Sequence, residues 1–426
     1  MPLTLEPVLL LKFPQFVSAP LINLNRDECR DAQSIQAALD QLGVSGGVVQ
    51  LPELDLTLDR GLELHTGIEL RGCGARTILR KGTGRAYAFS GYHNYGMRDV
   101  PLINAAGLAV GMTVTIFDEK KRGFDATFAR ITWIEGNWVG LDRGVESDYC
   151  AEDQPQLVTN YPLIFGRAIR RAAVRNLTLD GNLADNPQMI DGCRNGAVYF
   201  DHCHEIEITD IAETKFNGEG LSFQLCSQML IRDCTFSHNA GNGLHPGAGS
   251  TNVLFEQCRS DGNGANGFFF CVRANHVTMR GCTFGHNHKA GVSIGTRDCH
   301  NLIEDCAFSQ NAGPGIHFRP SPRPVEVHSC RINRCQFMGN AEGTDRGQIE
   351  ILDAAHDIVI EDCTFAGDEN ATGVTTSDQV TAVYLERNRL LHGRAEMSGA
   401  GFTRKRPEFS CSAEDCLPCD YRHLTI

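Results

Sequence analysis

The stretch AGVSIGTRDCHNLIEDCAFSQNAGPGIHFRP, residues 290–320, holds two phrases of alternating character, GVSIG and GIHFR. Their leading glycines, Gly291 and Gly315, stand 24 residues apart. Upstream the phrase recurs as GAVYFD at Gly196, GLSFQL at Gly220, GLHPGA at Gly243 and GFFFCV at Gly267; downstream a related QIEILD begins at Gln348. From Gly196 to Gly315 the steps are 24, 23, 24, 24 and 24 residues. A second phrase keeps the same beat. RDCTF, EQCRS, RGCTF and EDCAF place Cys234, Cys258, Cys282 and Cys306 at steps of 24, and NRCQF and EDCTF continue it with Cys335 and Cys363. A third is turn-like, with Asn239, Asn263, Asn287 and Asn311 each a few residues before the next glycine.

A fixed period in this range marks a solenoid. The repeats carry short runs of period two and Gly/Asn turns, with neither a helix-length segment nor a leucine-rich pattern. The architecture that remains is all-β: a single-stranded parallel β-helix of about 24 residues per coil, its coils stacked by strand pairing at roughly 4.8 Å. Side chains alternate along each strand, so the first and third positions after glycine point inward: Leu221 and Phe223, Phe268 and Phe270, Val292 and Ile294, Ile316 and Phe318. The second and fourth face out: Ser222 and Gln224, His245, Cys271, Ser293, His317 and Arg319. The cysteine beat reads as an inner ladder of free thiols. Cysteine is small and readily buried, and side chains stacked in register point the same way rather than toward each other.

The rest of the chain divides around these coils. Residues 1–25 form an N-terminal segment, and 26–103 hold a capping helix and the first coils. Ile35, Ala38, Leu39 and Leu42 recur at helical spacing and stop at Gly43, as expected of a helix covering the first coil. Residues 104–160 read as a small β insertion, 161–394 as the main coils, and 395–426 as a cysteine-containing tail. The tail places Cys411, Cys416 and Cys419 near His423, a loose match to zinc-ligand spacing, and no metal is expected there.

With 39 basic and 52 acidic residues the net charge is −13, which argues against nucleic acid as the partner. No run of 18 apolar residues predicts a membrane span. The apolar N-terminus lacks a basic leader and is broken by prolines, so the 18 cysteines read as reduced and the location as cytoplasmic. Homo-oligomerisation is left open.

Helix, then GGVVQLP (46–52), then GIELRGCGARTILR (67–80), resembles the N-terminal signature of the pectate-lyase-like superfamily of right-handed parallel β-helix proteins. That group includes polysaccharide lyases, polygalacturonase-type hydrolases, fructan-acting transferases and phage tailspikes. The resemblance covers about residues 26–390 and implies a right-handed coil. GVSIG and GIHFR are similar to the G-H-G-x-S-I-G and R-I-K phrases of polygalacturonases. The acids of that family are missing, because residues 217–219 read NGE where N-T-D would stand and the following strand reads GLHPG. No acidic calcium cluster assembles either, so no cofactor is expected.

A column of outward polar groups over several coils suits a long repeating ligand, and the reading is a carbohydrate-active enzyme cleaving an acidic, uronate-containing oligo- or polysaccharide. For β-elimination, His245 or His317 is the base, while Arg319 and Arg273 hold the carboxylate. For hydrolysis by a glycoside hydrolase, Asp298 and Glu350 supply the carboxylate pair. A glycosyl-transferring enzyme and a non-catalytic glycan-binding solenoid are the alternatives. Asp180, Asp201, Gln224, Ser293 and Asp353 are the expected substrate contacts on the face and its margins.

Overall fold

The structure, a computed structural model, describes residues 19–122, 125–186, 193–368, 372–391 and 402–403. The chain winds as a parallel β-helix. One wall is a ten-stranded parallel sheet that includes Ile164–Arg167, Gly196–Asp201, Glu219–Gln224, Leu244–Pro246, Phe268–Phe269, Val292–Ile294, Ile316–Phe318 and Gly347–Ile351. The remaining walls join into a 21-stranded sheet. Strand register follows the glycine beat, with Leu221 opposite Leu244, Phe268 opposite Val292, and Ile316 opposite Ile349. These inward residues are all fully buried.

Three ladders run through the coils. Phe284, Phe308, Phe337 and Phe365 stack with centroids 4.8–5.3 Å apart. Asn239, Asn263, Asn287 and Asn311 form the second, each donating its side-chain amide to the carbonyl oxygen of the next, and Asn340 extends the line. The third is the cysteine column: Cys234, Cys258, Cys282, Cys306, Cys335 and Cys363 are buried and free of disulfides. The residue before each of these cysteines (Asp233, Gln257, Gly281, Asp305, Arg334 and Asp362) has a positive φ. That left-handed step turns the corner, and Gly281 is the member that takes it without steric cost.

The predicted helix spans Ala32–Leu42 and buries Ile35, Ala38, Leu39 and Leu42 against the first coil. Asp31 caps it, accepting from the Ser34 N–H at 2.8 Å while Ser34 Oγ accepts from the Asp31 N–H at 3.1 Å. The insertion is a six-stranded sheet, chiefly antiparallel hairpins, with its own core of Val100, Val114, Ile116, Val139, Tyr149 and Leu157. It draws in Ala86–Ala88 and Asp99–Pro101, upstream of residue 104, because those strands pair with Gln156–Val158 and Trp138–Leu141. Among the described residues no helix is long and apolar enough to cross a membrane. The tail residues Cys411, Cys416, Cys419 and His423 lie outside the described residues.

Candidate functional site

The outer surface of the ten-stranded sheet carries two adjacent columns. The first runs Phe165, Tyr199, Ser222, His245, then Phe269, Ser293, His317 and Glu350. The second begins Arg167, Asp201, Gln224. It continues through Cys271, whose N–H donates to Pro246 O, and Arg319, whose N–H donates to Ile294 O.

The columns stand as expected, but much of them is not open surface. Ser222, Gln224, His245 and Ser293 are buried. The cause is a second packed layer. The connection before Gly196–Asp201 lays Cys193 over the sheet, and its carbonyl accepts from Ser222 Oγ and, at 3.3 Å, from Gln224 Nε2. Further along, the Arg319 side chain folds back across Gly295, where a Cβ would come within 2.3 Å of its guanidinium. Arg319 Nη1 donates to Ser293 Oγ at 2.8 Å, and Nη2 to Phe270 O at 2.8 Å. The guanidinium also rests 4.1 Å above the Phe269 ring centroid.

Beneath this layer Cys193, His245 and Cys271 converge, one ligand atom from each lying within 4.8 Å of the others. Among the described residues this is the one cluster with the make-up of a metal site. Glu219 Oε1 stands 3.5 Å from His245 Nδ1, and Glu219 also accepts from the Asn242 N–H at 2.8 Å. Burial disfavours charge on His245, but Glu219 and Cys271 outweigh it and lift the imidazole to about 9. A hydrogen bond from Cys193, with help from His245, brings the Cys271 thiol down to about 4. Cys193, the donor in that pair, is pushed up.

Further along the sheet, three coils from His245 and two from Cys271, lies a more open group. His317 is partly exposed, and its Nε2 lies 3.3 Å from Glu350 Oε2 without a hydrogen-bond partner. Arg346 Nε donates to both Glu350 oxygens at 3.0 Å. Desolvation is the largest influence on His317; Arg346 and Arg319 add to it, and together they outweigh Glu350 and depress the imidazole to about 4. The ring is therefore neutral near pH 7.

Several predicted residues do not join either group. Arg273 is exposed, in a bend with φ 63°. Asp298 is fully buried and accepts backbone N–H groups of Ala274 at 3.0 Å and Gly295 at 2.8 Å. Burial lifts its carboxyl to about 7. It takes the ladder position held by Ser250, which accepts from the Cys226 N–H one coil earlier in the pattern, so its first task is to hold the coil. Asp180 belongs to the 21-stranded sheet, pairs with Arg80 and closes an Asx turn onto the Asn182 N–H at 2.8 Å. Asp353 sits in a turn with φ 58°, where its N–H donates to Ser377 Oγ at 2.8 Å. Asp201 stays in the second column, half-buried, beside His202 at 2.8 Å.

Cys193, Arg346 and Arg167 were not singled out from the sequence. Arg167 heads the second column, and its guanidinium lies 4.7 Å from the Phe128 ring centroid, with Nε unpartnered. The available signal was a break in rhythm: Cys193 and Cys271 lie off the 24-residue cysteine beat.

Residues 269–404 match a family model described as right handed beta helix region, and residues 164–329 match one described as periplasmic copper-binding protein (NosD). No curated protein sequence matches the chain. Among solved structures, the chain is similar to the A-module of an Azotobacter vinelandii mannuronan C-5 epimerase. The identity is 15% and the TM-score 0.58, over 91% of this chain and 98% of that one. A polygalacturonase from Erwinia carotovora ssp. carotovora superimposes with a TM-score of 0.59 at 12% identity, over 93% and 97% of the two chains. An exopolygalacturonase from Thermotoga maritima gives 0.52 at 12% identity, over 91% and 92%. At these identities the likeness establishes the fold.

Proposed function

We propose that this chain, a right-handed parallel β-helix protein, acts on an acidic polysaccharide and removes the proton α to a uronate carboxylate, with His317 as base. The observation that carries the reading is the setting of His317: a neutral, partly exposed imidazole with Arg319 two residues along the strand and the Arg346–Glu350 pair beside it. Cations that depress an imidazole in the free protein become its partners once an anion arrives. A uronate carboxylate held by Arg346, and by Arg319 once its guanidinium turns outward from Ser293 and Phe270, offsets their charge, raises the basicity of His317 and places the acidic C–H next to it. In β-elimination His317 takes the C5 proton, the C–H electron pair becomes the C4–C5 double bond, and the C4–O bond breaks with its electrons on the leaving sugar oxygen, which is then protonated. Glu350 stabilises the imidazolium that forms. The ligand class is also supported by the similar structures named for mannuronan and polygalacturonate chemistry.

Hydrolysis by an Asp298–Glu350 pair is the weaker reading, since Asp298 is sealed in the coil and spends its oxygens on two backbone N–H groups. The test is a screen of uronate polymers that follows both ultraviolet absorbance and reducing ends. Elimination raises both together, because the new double bond is conjugated with the carboxyl. Reducing ends without absorbance would overturn the elimination.

A further inference from the structure

The Cys193–His245–Cys271 cluster has no task in the chemistry assigned to His317, and its make-up is unusual for a coil interior. The buried asparagines of these coils, Asn239, Asn263, Asn287 and Asn311, join a ladder in which each side-chain amide finds an acceptor. Here neither ring nitrogen of His245 has a hydrogen-bond partner, although the residue is 5% exposed. An unpartnered imidazole in such a place forfeits hydrogen bonds that water would have supplied. Two sulfurs and one ring nitrogen face a common point, with every pair of ligand atoms within 4.8 Å.

We infer that Cys193 Sγ, Cys271 Sγ and a ring nitrogen of His245 form a binding site for one thiophilic d10 metal ion, Zn(II) or Cu(I). Zinc–sulfur bonds of about 2.3 Å and zinc–nitrogen bonds of about 2.0–2.1 Å set ligand atoms roughly 3.4–3.8 Å apart in a tetrahedron, so a small contraction of the cluster closes the site. Two thiolates and an imidazole match the softness of these ions better than that of calcium or magnesium. Glu219 supplies the outer shell. Its Oε1 lies 3.5 Å from Nδ1, so a slight turn of the ring onto the ion through Nε2 would bring Nδ1–H into a hydrogen bond with Glu219. Glu219 is itself held by the Asn242 N–H at 2.8 Å and the Asn242 side-chain amide at 3.1 Å, and Asn266 continues that chain to Asn242 Oδ1 at 2.8 Å. The coils thus orient the carboxylate that orients the histidine. Cys193 comes from a connection and the other two from successive coils of the sheet, so the ion would pin the covering segment to the sheet.

The experiment loads the full-length reduced protein with Zn(II) or with Cu(I), removes loosely held ion by a competing chelator, and counts what remains. One ion per chain is expected, and the two arms decide which of the pair is held more tightly. Cobalt(II) substituted at the site should show thiolate-to-metal charge-transfer absorption that falls by about half in Cys193→Ser and in Cys271→Ser. His245→Ala should lose the ion, and Glu219→Gln should weaken binding by about 10–100-fold. The variant Cys411→Ser/Cys416→Ser/Cys419→Ser should keep it, which separates this site from the tail. Cys193 lies outside any strand, so Cys193→Ser keeps the coils paired and decides the matter if Cys271→Ser fails to fold. Unchanged retention in Cys193→Ser, loss in the tail variant alone, or a Cys193–Cys271 disulfide in protein that retains no ion would each overturn the site.

Discussion

Two sets of cysteines in this molecule share the same coils and differ in the partners they meet. Cys234, Cys258, Cys282 and Cys306 keep the 24-residue beat, point inward, and give their S–H groups to backbone carbonyls, as Cys258 does to Ile231 O at 3.4 Å. Each is surrounded by copies of its own environment; burial pushes Cys258 and Cys306 up, while hydrogen bonds from these two neighbours bring Cys282, between them, down. Cys193 and Cys271 break the beat and meet an imidazole, with Arg319 Nη2 donating to Cys271 O at 3.3 Å. In a solenoid the repeating positions build the wall, and the residues that depart from the repeat mark where the wall does something else. The same contrast separates the phenylalanine stack inside the coils from the column outside them, where Ser222, His245, Phe269, Ser293, His317 and Glu350 share a position and no chemistry.

The largest test of that contrast is at the irregular column. His317→Ala should lower turnover of a uronate polymer by about 10²–10⁴-fold, the range for losing a general base, with far-UV circular dichroism unchanged. Next come the ladders. Asn287→Ala removes the acceptor of the Asn263 N–H at 3.1 Å and strands that buried amide, a loss of about 1–3 kcal/mol read from denaturant unfolding.

A smaller effect distinguishes the neutral imidazole. Because the folded protein holds His317 at about 4, below its ordinary value of 6.5, the unfolded chain binds its proton first as the pH falls. The stability this represents is present above pH 6.5 and is lost as the pH drops toward 4. His317→Gln should flatten that part of the profile, and an unchanged slope would contradict the depressed imidazole. The smallest effect belongs to the regular column: Cys282→Ala should cost about 1 kcal/mol and leave turnover untouched.

The coils were legible in the sequence because one interval governs glycine, cysteine and asparagine together, and because inward and outward residues alternate along each strand. The outward columns followed from the same logic. What the period could not convey was the covering layer. Cys193 arrives from the irregular stretch between Asp180 and Gly196, and nothing in the repeat says that its carbonyl will lie on Ser222 and Gln224. Nor does it say that Arg319 will fold back across Gly295 to Phe270, rather than extend to solvent. Asp298 illustrates the opposite failure. It reads as a catalytic acid by residue type, whereas its position is that of a ladder acceptor, and only the register shows which of the two applies.

Removal of a uronate C5 proton at this face can be followed with a uronate polymer deuterated at C5. Wild-type protein should release the deuterium to water as unsaturated product forms, and His317→Ala should release it about 10²–10⁴-fold more slowly. Cleaved product that keeps its deuterium at C5 would contradict it.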